Sequence, residues 1–310
     1  MKNSKHLTPD RLDIPNLEWL AKNIVEGFIT GLHRSPFHGY SAEFREHKIY
    51  SPGESIKYID WKVYAKTDRL YIKKFDEETN MRVRLILDAS SSMFYPEMKK
   101  FDLNRLNKIG FSVVASAVLN EILKRQRDAV GLSAFHEEII INIPEKTHLL
   151  HRKRILGHLE NLLFQTPVRK RTFPLRNLHL IAETLKKRSL TVLFTDFWPD
   201  EDKVSEITDA LKHLRYKSAE LIVFHVTHKR TEQLFDFENK PLRFEDLETG
   251  EKISVFPDEL KENYRQAYQE RLQQILEELY AYGIDYHPVD VETPYSEVMA
   301  TFLQKRLKMK

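Results

Sequence analysis

From about residue 82 onward, apolar runs of strand length alternate with amphipathic segments of helix length, and this alternation constrains the fold more than any other feature of the chain. The strand-like runs are 83–87, 129–135, 139–143, 190–195, 221–226 and 284–289. The helix-like segments are roughly 101–126, 147–164, 174–188, 201–216, 258–282 and 295–308. Runs such as Thr191-Val192-Leu193-Phe194 are almost continuously apolar, the pattern of strands covered on both faces in a parallel sheet. Strand–helix alternation predicts an α/β fold with a doubly wound, mostly parallel sheet. Only His136-Glu137-Glu138 separates the second and third runs. A parallel crossover needs about a dozen residues, so this pair is predicted antiparallel, with a hairpin at one sheet edge.

The first 80 residues have another texture. They hold four of the nine glycines (Gly27, Gly31, Gly39 and Gly53), and runs such as Lys48-Ile49-Tyr50 and Leu70-Tyr71-Ile72 alternate like strands. Residues 1–80 are read as a smaller β-rich module, and 81–310 as the α/β domain. The module's aromatics (Tyr50, Tyr58, Trp61, Tyr64, Tyr71, Phe75) are expected to pack rather than face water. A second break falls at about 231–257, where Glu248-Thr249-Gly250-Glu251 marks a turn between two β-like runs. That segment is read as a surface hairpin insertion.

Composition removes several function classes. With no cysteine, disulfides, thiolate metal sites and cysteine nucleophiles are excluded. Neither GxGxxG nor GxxxxGK[ST] occurs, so the motifs of dinucleotide and P-loop sites are absent. A net charge of +3 gives no global argument for binding nucleic acid. The longest apolar stretch, Ile109 to Leu123, is interrupted by Ser112, Ser116, Asn120 and Glu121 and is too short for a membrane span. Met1 to Asp13 carries charges and no apolar core, so a soluble cytoplasmic protein is expected. Local charge is uneven: residues 146–190 carry 11 Lys/Arg against 2 Asp/Glu, and residues 230–290 carry 7 against 15. These are either solvated faces or a basic and an acidic contact surface.

In open α/β sheets, ligands sit beyond the carboxyl ends of the strands where strand order reverses. In a 3-2-1-4-5-6 order the first and fourth strands are neighbours at that point. The first ends in Asp88-Ala89-Ser90-Ser91-Ser92 and the fourth in Thr195-Asp196-Phe197. Asp88 and Asp196 then stand close together, with Ser90 and Ser92 on the loop beside them. Two such carboxylates need a cation or a shared proton, and an all-oxygen set favours Mg²⁺ (or Mn²⁺). A third loop is expected to add a hydroxyl, from Thr172 or from Thr166. Ser90 and Ser92 have an alternative use as helix caps. Asp60 reads as a structural ion-pair partner, His148 and His151 as one solvated helix face, and Arg169-Lys170-Arg171 as either a charged loop or a steering patch for an acidic partner.

Asp88-x-Ser90-x-Ser92, a later Thr and a later Thr-Asp resemble the metal-ion-dependent adhesion site (MIDAS) of von Willebrand factor A (vWA) domains. Upstream, His33-x-Ser35, Gly39, Glu43-Phe44, Tyr50-Ser51-Pro52-Gly53-Glu54 and Ile59-Asp60-Trp61-Lys62 resemble the vWA-like bacterial family DUF58. That resemblance covers about 27–310. It implies a vWA-like fold with Asp88, Ser90, Ser92, Thr172 and Asp196 around Mg²⁺ (or Mn²⁺), Asp196 acting through water. It also implies an open coordination position for an acidic residue of a client protein, and a MoxR-type AAA+ ATPase as partner. Arg171 before Thr172 and Phe197 after Asp196 stand where the family commonly has glycine. The function expected is a non-enzymatic, metal-dependent protein-binding adaptor or co-chaperone. The alternative is a Mg²⁺-dependent phosphohydrolase using Asp88, but haloacid-dehalogenase-like chemistry needs a second Asp where Ser90 stands. Nucleic-acid binding through the basic stretch lacks interleaved aromatics and a known module.

Overall fold

The computed structural model describes residues 16–31, 44–51, 59–75, 81–165, 174–197, 204–246 and 250–308. In chain order the elements are α1 (Leu17–Gly31), β1 (Phe44–Ile49), α2 (Trp61–Thr67), β2 (Tyr71–Phe75), β3 (Arg82–Asp88), α3 (Lys108–Arg125), β4 (Ala129–Phe135), β5 (Ile139–Lys146), α4 (Leu149–Leu163) and α5 (Pro174–Thr184). There follow β6 (Ser189–Thr195), α6 (Val204–Lys217), β7 (Glu220–Thr227), β8 (Leu242–Glu245), β9 (Lys252–Val255), α7 (Pro257–Ala281), β10 (Asp285–Asp290) and α8 (Tyr295–Lys308).

Six strands form the main sheet in the order β10-β7-β6-β3-β4-β5. Every neighbouring pair is parallel except β4–β5, which is antiparallel. This is the doubly wound order expected, with the hairpin edge where three residues leave no room for a crossover. The faces of β3 divide cleanly. Val83, Leu85 and Leu87 join a core with α1, α3, α4 and α8, whereas Ile86 joins a core with α5, α6 and α7. Helix α3 lies at the centre of the first core, and Ile109–Leu123 is buried throughout. A helix apolar on all sides belongs in an interior, and the small residues Gly110, Ala115 and Ala117 allow close approach.

The expected helix at 101–126 begins later, at Lys108. Asn107 caps it, its Oδ1 accepting the Gly110 N–H at 2.8 Å, and the Lys108 N–H donates to the Tyr95 carbonyl at 3.2 Å. A Cβ at Gly110 would come 2.8 Å from that capping oxygen, so glycine keeps the cap in place.

On the α5 side of the sheet, Arg84 is buried in a polar cluster. It pairs with Glu145 at 2.6 Å and donates to Ser133 and Asn142, both at 3.0 Å. Gly131 makes room for it, since a Cβ there would meet Ile143 O at 2.7 Å and Arg84 Nε at 2.9 Å.

Within the first 80 residues, β1 and β2 pair antiparallel. Leu17, Leu20, Ala21 and Val25 line one face of α1, at helical spacing, and enter the main core against α3. Asp60 is the N-cap of α2, accepting the N–H groups of Lys62 and Val63. Trp61 and Tyr64 differ from the expectation of packed aromatics. Both are exposed, meeting edge to face at 6.1 Å on a helix that buries none of its residues. The insertion contains the expected antiparallel hairpin, β8–β9. It is preceded by a π-helical turn at Lys229–Gln233, and Phe235, clustered with Phe237 and Phe244, anchors it against Tyr264 of α7.

Candidate functional site

Strand β3 ends at Asp88, and the chain leaves the sheet through Ala89, whose N–H donates to the Phe135 carbonyl at 2.7 Å. Asp88 then organises its own loop. Its Oδ1 accepts the Ser90 N–H at 2.9 Å, a local turn that short acidic side chains favour. A 3-10 turn follows at Ser91–Phe94, and the Ser90 hydroxyl makes no capping bond to it. Instead, Ser90 Oγ and Ser92 Oγ face each other at 3.0 Å. The capping alternative for these serines is therefore not their observed use.

The neighbouring strand β6 closes the site. Thr195 Oγ1 donates to Asp88 Oδ2 at 2.8 Å and accepts the Phe197 N–H at 3.2 Å. Asp196 is the next residue. Asp88 and Asp196 are both buried, at 3% and 7% exposure. Burial, then the charge of Asp196, pushes the Asp88 carboxyl up to about 7, against the pull of hydrogen bonds from Ser90 and Thr195. The fold thus brings together four of the five residues singled out as metal ligands: Asp88, Ser90, Ser92 and Asp196. Thr172, its competitor Thr166, and Arg169-Lys170-Arg171 lie outside the described residues.

Sequence reasoning missed the cation that is present. Lys108, at the start of α3, is 1% exposed and places Nζ 2.6 Å from Asp196 Oδ2. The same ammonium pairs with Glu232 Oε1 on the π-helical turn. The Tyr95 ring flanks it at 6.0 Å, and the Tyr95 hydroxyl donates to Thr231 Oγ1 at 3.1 Å. Behind Asp196, His225 stacks in parallel on Phe197 at 4.6 Å and bonds the Tyr286 hydroxyl through Nδ1 at 2.7 Å. Burial holds His225 down to about 4, so it is neutral at neutral pH. The only signal for Lys108 in the sequence is a lone charge opening an apolar run. His151 is elsewhere, with Nε2 2.9 Å from the Val130 carbonyl.

The residues fit a hard divalent cation. Octahedral Mg²⁺ with oxygens at about 2.0–2.1 Å puts adjacent ligands about 2.9 Å apart, and the two serine hydroxyls stand at 3.0 Å. Fully ionised, Asp88, Asp196 and Glu232 with Lys108 carry three negative charges and one positive, a net −2 that one divalent cation neutralises. Among the described residues no three His, Asp or Glu side chains converge as a metal-binding group. A cation here would therefore depend on the serine hydroxyls and water to complete its shell.

Comparisons with known proteins place the chain in a family and assign no function. The family described as "Protein of unknown function DUF58" matches residues 46–277. Uncharacterized proteins of Mycobacterium bovis and Mycobacterium tuberculosis are 21% identical over 181 residues, 58% of this chain and 55% of theirs. The chain thus spans about half the length of the curated relatives it matches. Among solved structures, the conserved hypothetical protein BatB from Bacteroides thetaiotaomicron is similar at a TM-score of 0.43 and 17% identity, over 74% of this chain and 99% of that one. The PilB minor pilin from Streptococcus sanguinis gives 0.42 at 12% identity, over 78% and 64%.

Proposed function

We propose that this chain, which belongs to the DUF58 family, is a non-enzymatic adaptor or co-chaperone that binds a client protein through a divalent cation and works with a MoxR-type AAA+ ATPase. Asp88, Ser90, Ser92 and Asp196 would hold Mg²⁺ (or Mn²⁺), with Thr172 as the further hydroxyl ligand. The observation that carries the reading is the 3.0 Å pair of serine hydroxyls beside two buried carboxylates at the sheet's switch point. When bound, the cation supplies an electrophilic centre for a carboxylate of the client. Ser92, half-buried where Ser90 is fully buried, marks the side from which that carboxylate approaches.

The chain's own groups suit binding better than turnover. Both Asp88 oxygens already accept hydrogen bonds, from the Ser90 N–H and the Thr195 hydroxyl. Position 90, where a phosphohydrolase of this type needs an acid/base carboxyl, is serine. No helix among the described residues is long and apolar enough to cross a membrane, and a cytoplasmic location is part of the proposal.

The test is affinity co-purification with the MoxR-type ATPase of the same organism, in Mg²⁺ and in EDTA, beside a phosphatase assay with a chromogenic ester. The reading expects Mg²⁺-dependent capture and no hydrolysis. Capture unchanged by EDTA removes the metal from the role, and Mg²⁺-dependent hydrolysis abolished by Asp88→Ala replaces the adaptor with the enzyme.

A further inference from the structure

Lys108 is an unusual residue to find where it is. A helix N-terminus disfavours positive charge, and a buried ammonium is costly unless paired. Yet Lys108 opens α3 and is 1% exposed. Its two partners come from separate elements: Asp196 follows β6, and Glu232 sits on the π-helical turn that opens the insertion. Glu232 is itself held firmly. Its Oε2 accepts the His228 N–H at 2.7 Å, and its carbonyl accepts the Tyr264 hydroxyl of α7 at 2.7 Å. Tyr95, three residues beyond Ser92, reaches the same turn through Thr231.

From this geometry we propose that Lys108 is a tethered counter-ion of the site, displaced from Asp196 when a divalent cation binds and received by Glu232. The inference rests on the metal reading above and adds the residue pair that tunes it. Asp196 has one oxygen, Oδ2, engaged by the ammonium. A divalent cation drawing on the same carboxylate repels that ammonium at short range in a buried setting, where screening is weak. The ammonium then has one carboxylate left, Glu232, already in contact with it. Metal loading thereby breaks the Lys108–Asp196 bond and leaves the ammonium on the turn at the root of the β8–β9 hairpin, coupling the site to the insertion. Lys108 and Glu232 are positioning residues here, since neither needs to touch the cation.

The proposal makes the two partners act in opposite directions. Lys108→Met removes the competing charge at similar volume, and Glu232→Gln removes the receiver and leaves the ammonium on Asp196. Mn²⁺ titration calorimetry on the full chain, with circular dichroism as the folding control, reads both. Mn²⁺ affinity is expected about tenfold tighter in Lys108→Met and about tenfold weaker in Glu232→Gln. A purely structural ion pair would weaken both. Wild-type affinity in either folded variant, or weaker binding in Lys108→Met, overturns the proposal while leaving the metal reading intact. No Mn²⁺ binding by wild type and Lys108→Met alike overturns both. Should Lys108→Met not fold, Lys108→Gln, which drops the charge and keeps a hydrogen-bonding tip between Asp196 and Glu232, replaces it with the same tighter binding expected, the outcome a purely structural pair does not give.

Discussion

The Thr195 hydroxyl donates to Asp88 Oδ2 at 2.8 Å, joining the ends of two adjacent parallel strands through one side-chain bond. That bond helps the Asp88 carboxyl ionise in a place where burial and Asp196 oppose it. It also ties the loop carrying Ser90 and Ser92 to the residue preceding Asp196.

Thr195→Val keeps the shape and removes the donor. Asp88 should then rise further above about 7, leaving less carboxylate at neutral pH. Mg²⁺ affinity at pH 7 is expected to fall about tenfold, as the loss of one charge-assisted hydrogen bond would give. Calorimetry at pH 7 and pH 9 checks this. The gap should narrow at pH 9, where both proteins are ionised, and a gap independent of pH would contradict the account.

Asp88 also gives the metal-free protein a pH signature. Its folded pKa, about 7, lies above the ordinary 3.8. The folded state therefore binds the proton more tightly than the unfolded chain. The stabilising contribution is complete below about 3.8 and is lost as pH rises through about 7. Each tenfold difference in proton affinity between the two states is worth about 1.4 kcal/mol. Asp88→Asn carries no such titration. In EDTA, thermal melting of wild type and Asp88→Asn should converge near pH 4 and separate at pH 8, the variant being more stable. Parallel melting curves across that range would contradict the burial argument.

Gly131→Ala tests the packing under the sheet. The added Cβ meets main-chain Ile143 O at 2.7 Å and the Arg84 guanidinium at 2.9 Å. Neither gives way easily, because Arg84 is held by Glu145, Ser133 and Asn142. A loss of about 1–3 kcal/mol is expected by denaturant unfolding. Unchanged stability would mean that this network is loose enough to absorb a methyl group.

The strands were legible because the sheet buries both faces, which leaves runs such as Leu190–Thr195 apolar without alternation. Strand order then placed Asp88 beside Asp196, so most of the site followed from topology. The start of α3 was not legible. Phe101, Leu103 and Leu106 pack on the core from a loop and extend the apolar pattern ahead of the Asn107 cap. Nor was the core role of α1, overshadowed by the glycines and aromatics around it. The Lys108–Glu232 pair spans 124 residues and joins a helix start to an insertion that reads from sequence as mere surface. No local pattern encodes such a contact.

The most direct test of the central claim is Mg²⁺ or Mn²⁺ titration calorimetry on wild type, Asp88→Ala and Ser90→Ala, with circular dichroism confirming the fold. Asp88 supplies the formal charge nearest the serine hydroxyls, and Ser90 supplies a neutral oxygen that water can replace. The account predicts measurable binding by wild type, a modest loss in Ser90→Ala and no detectable binding in a folded Asp88→Ala. Equal affinity in wild type and Asp88→Ala would contradict it.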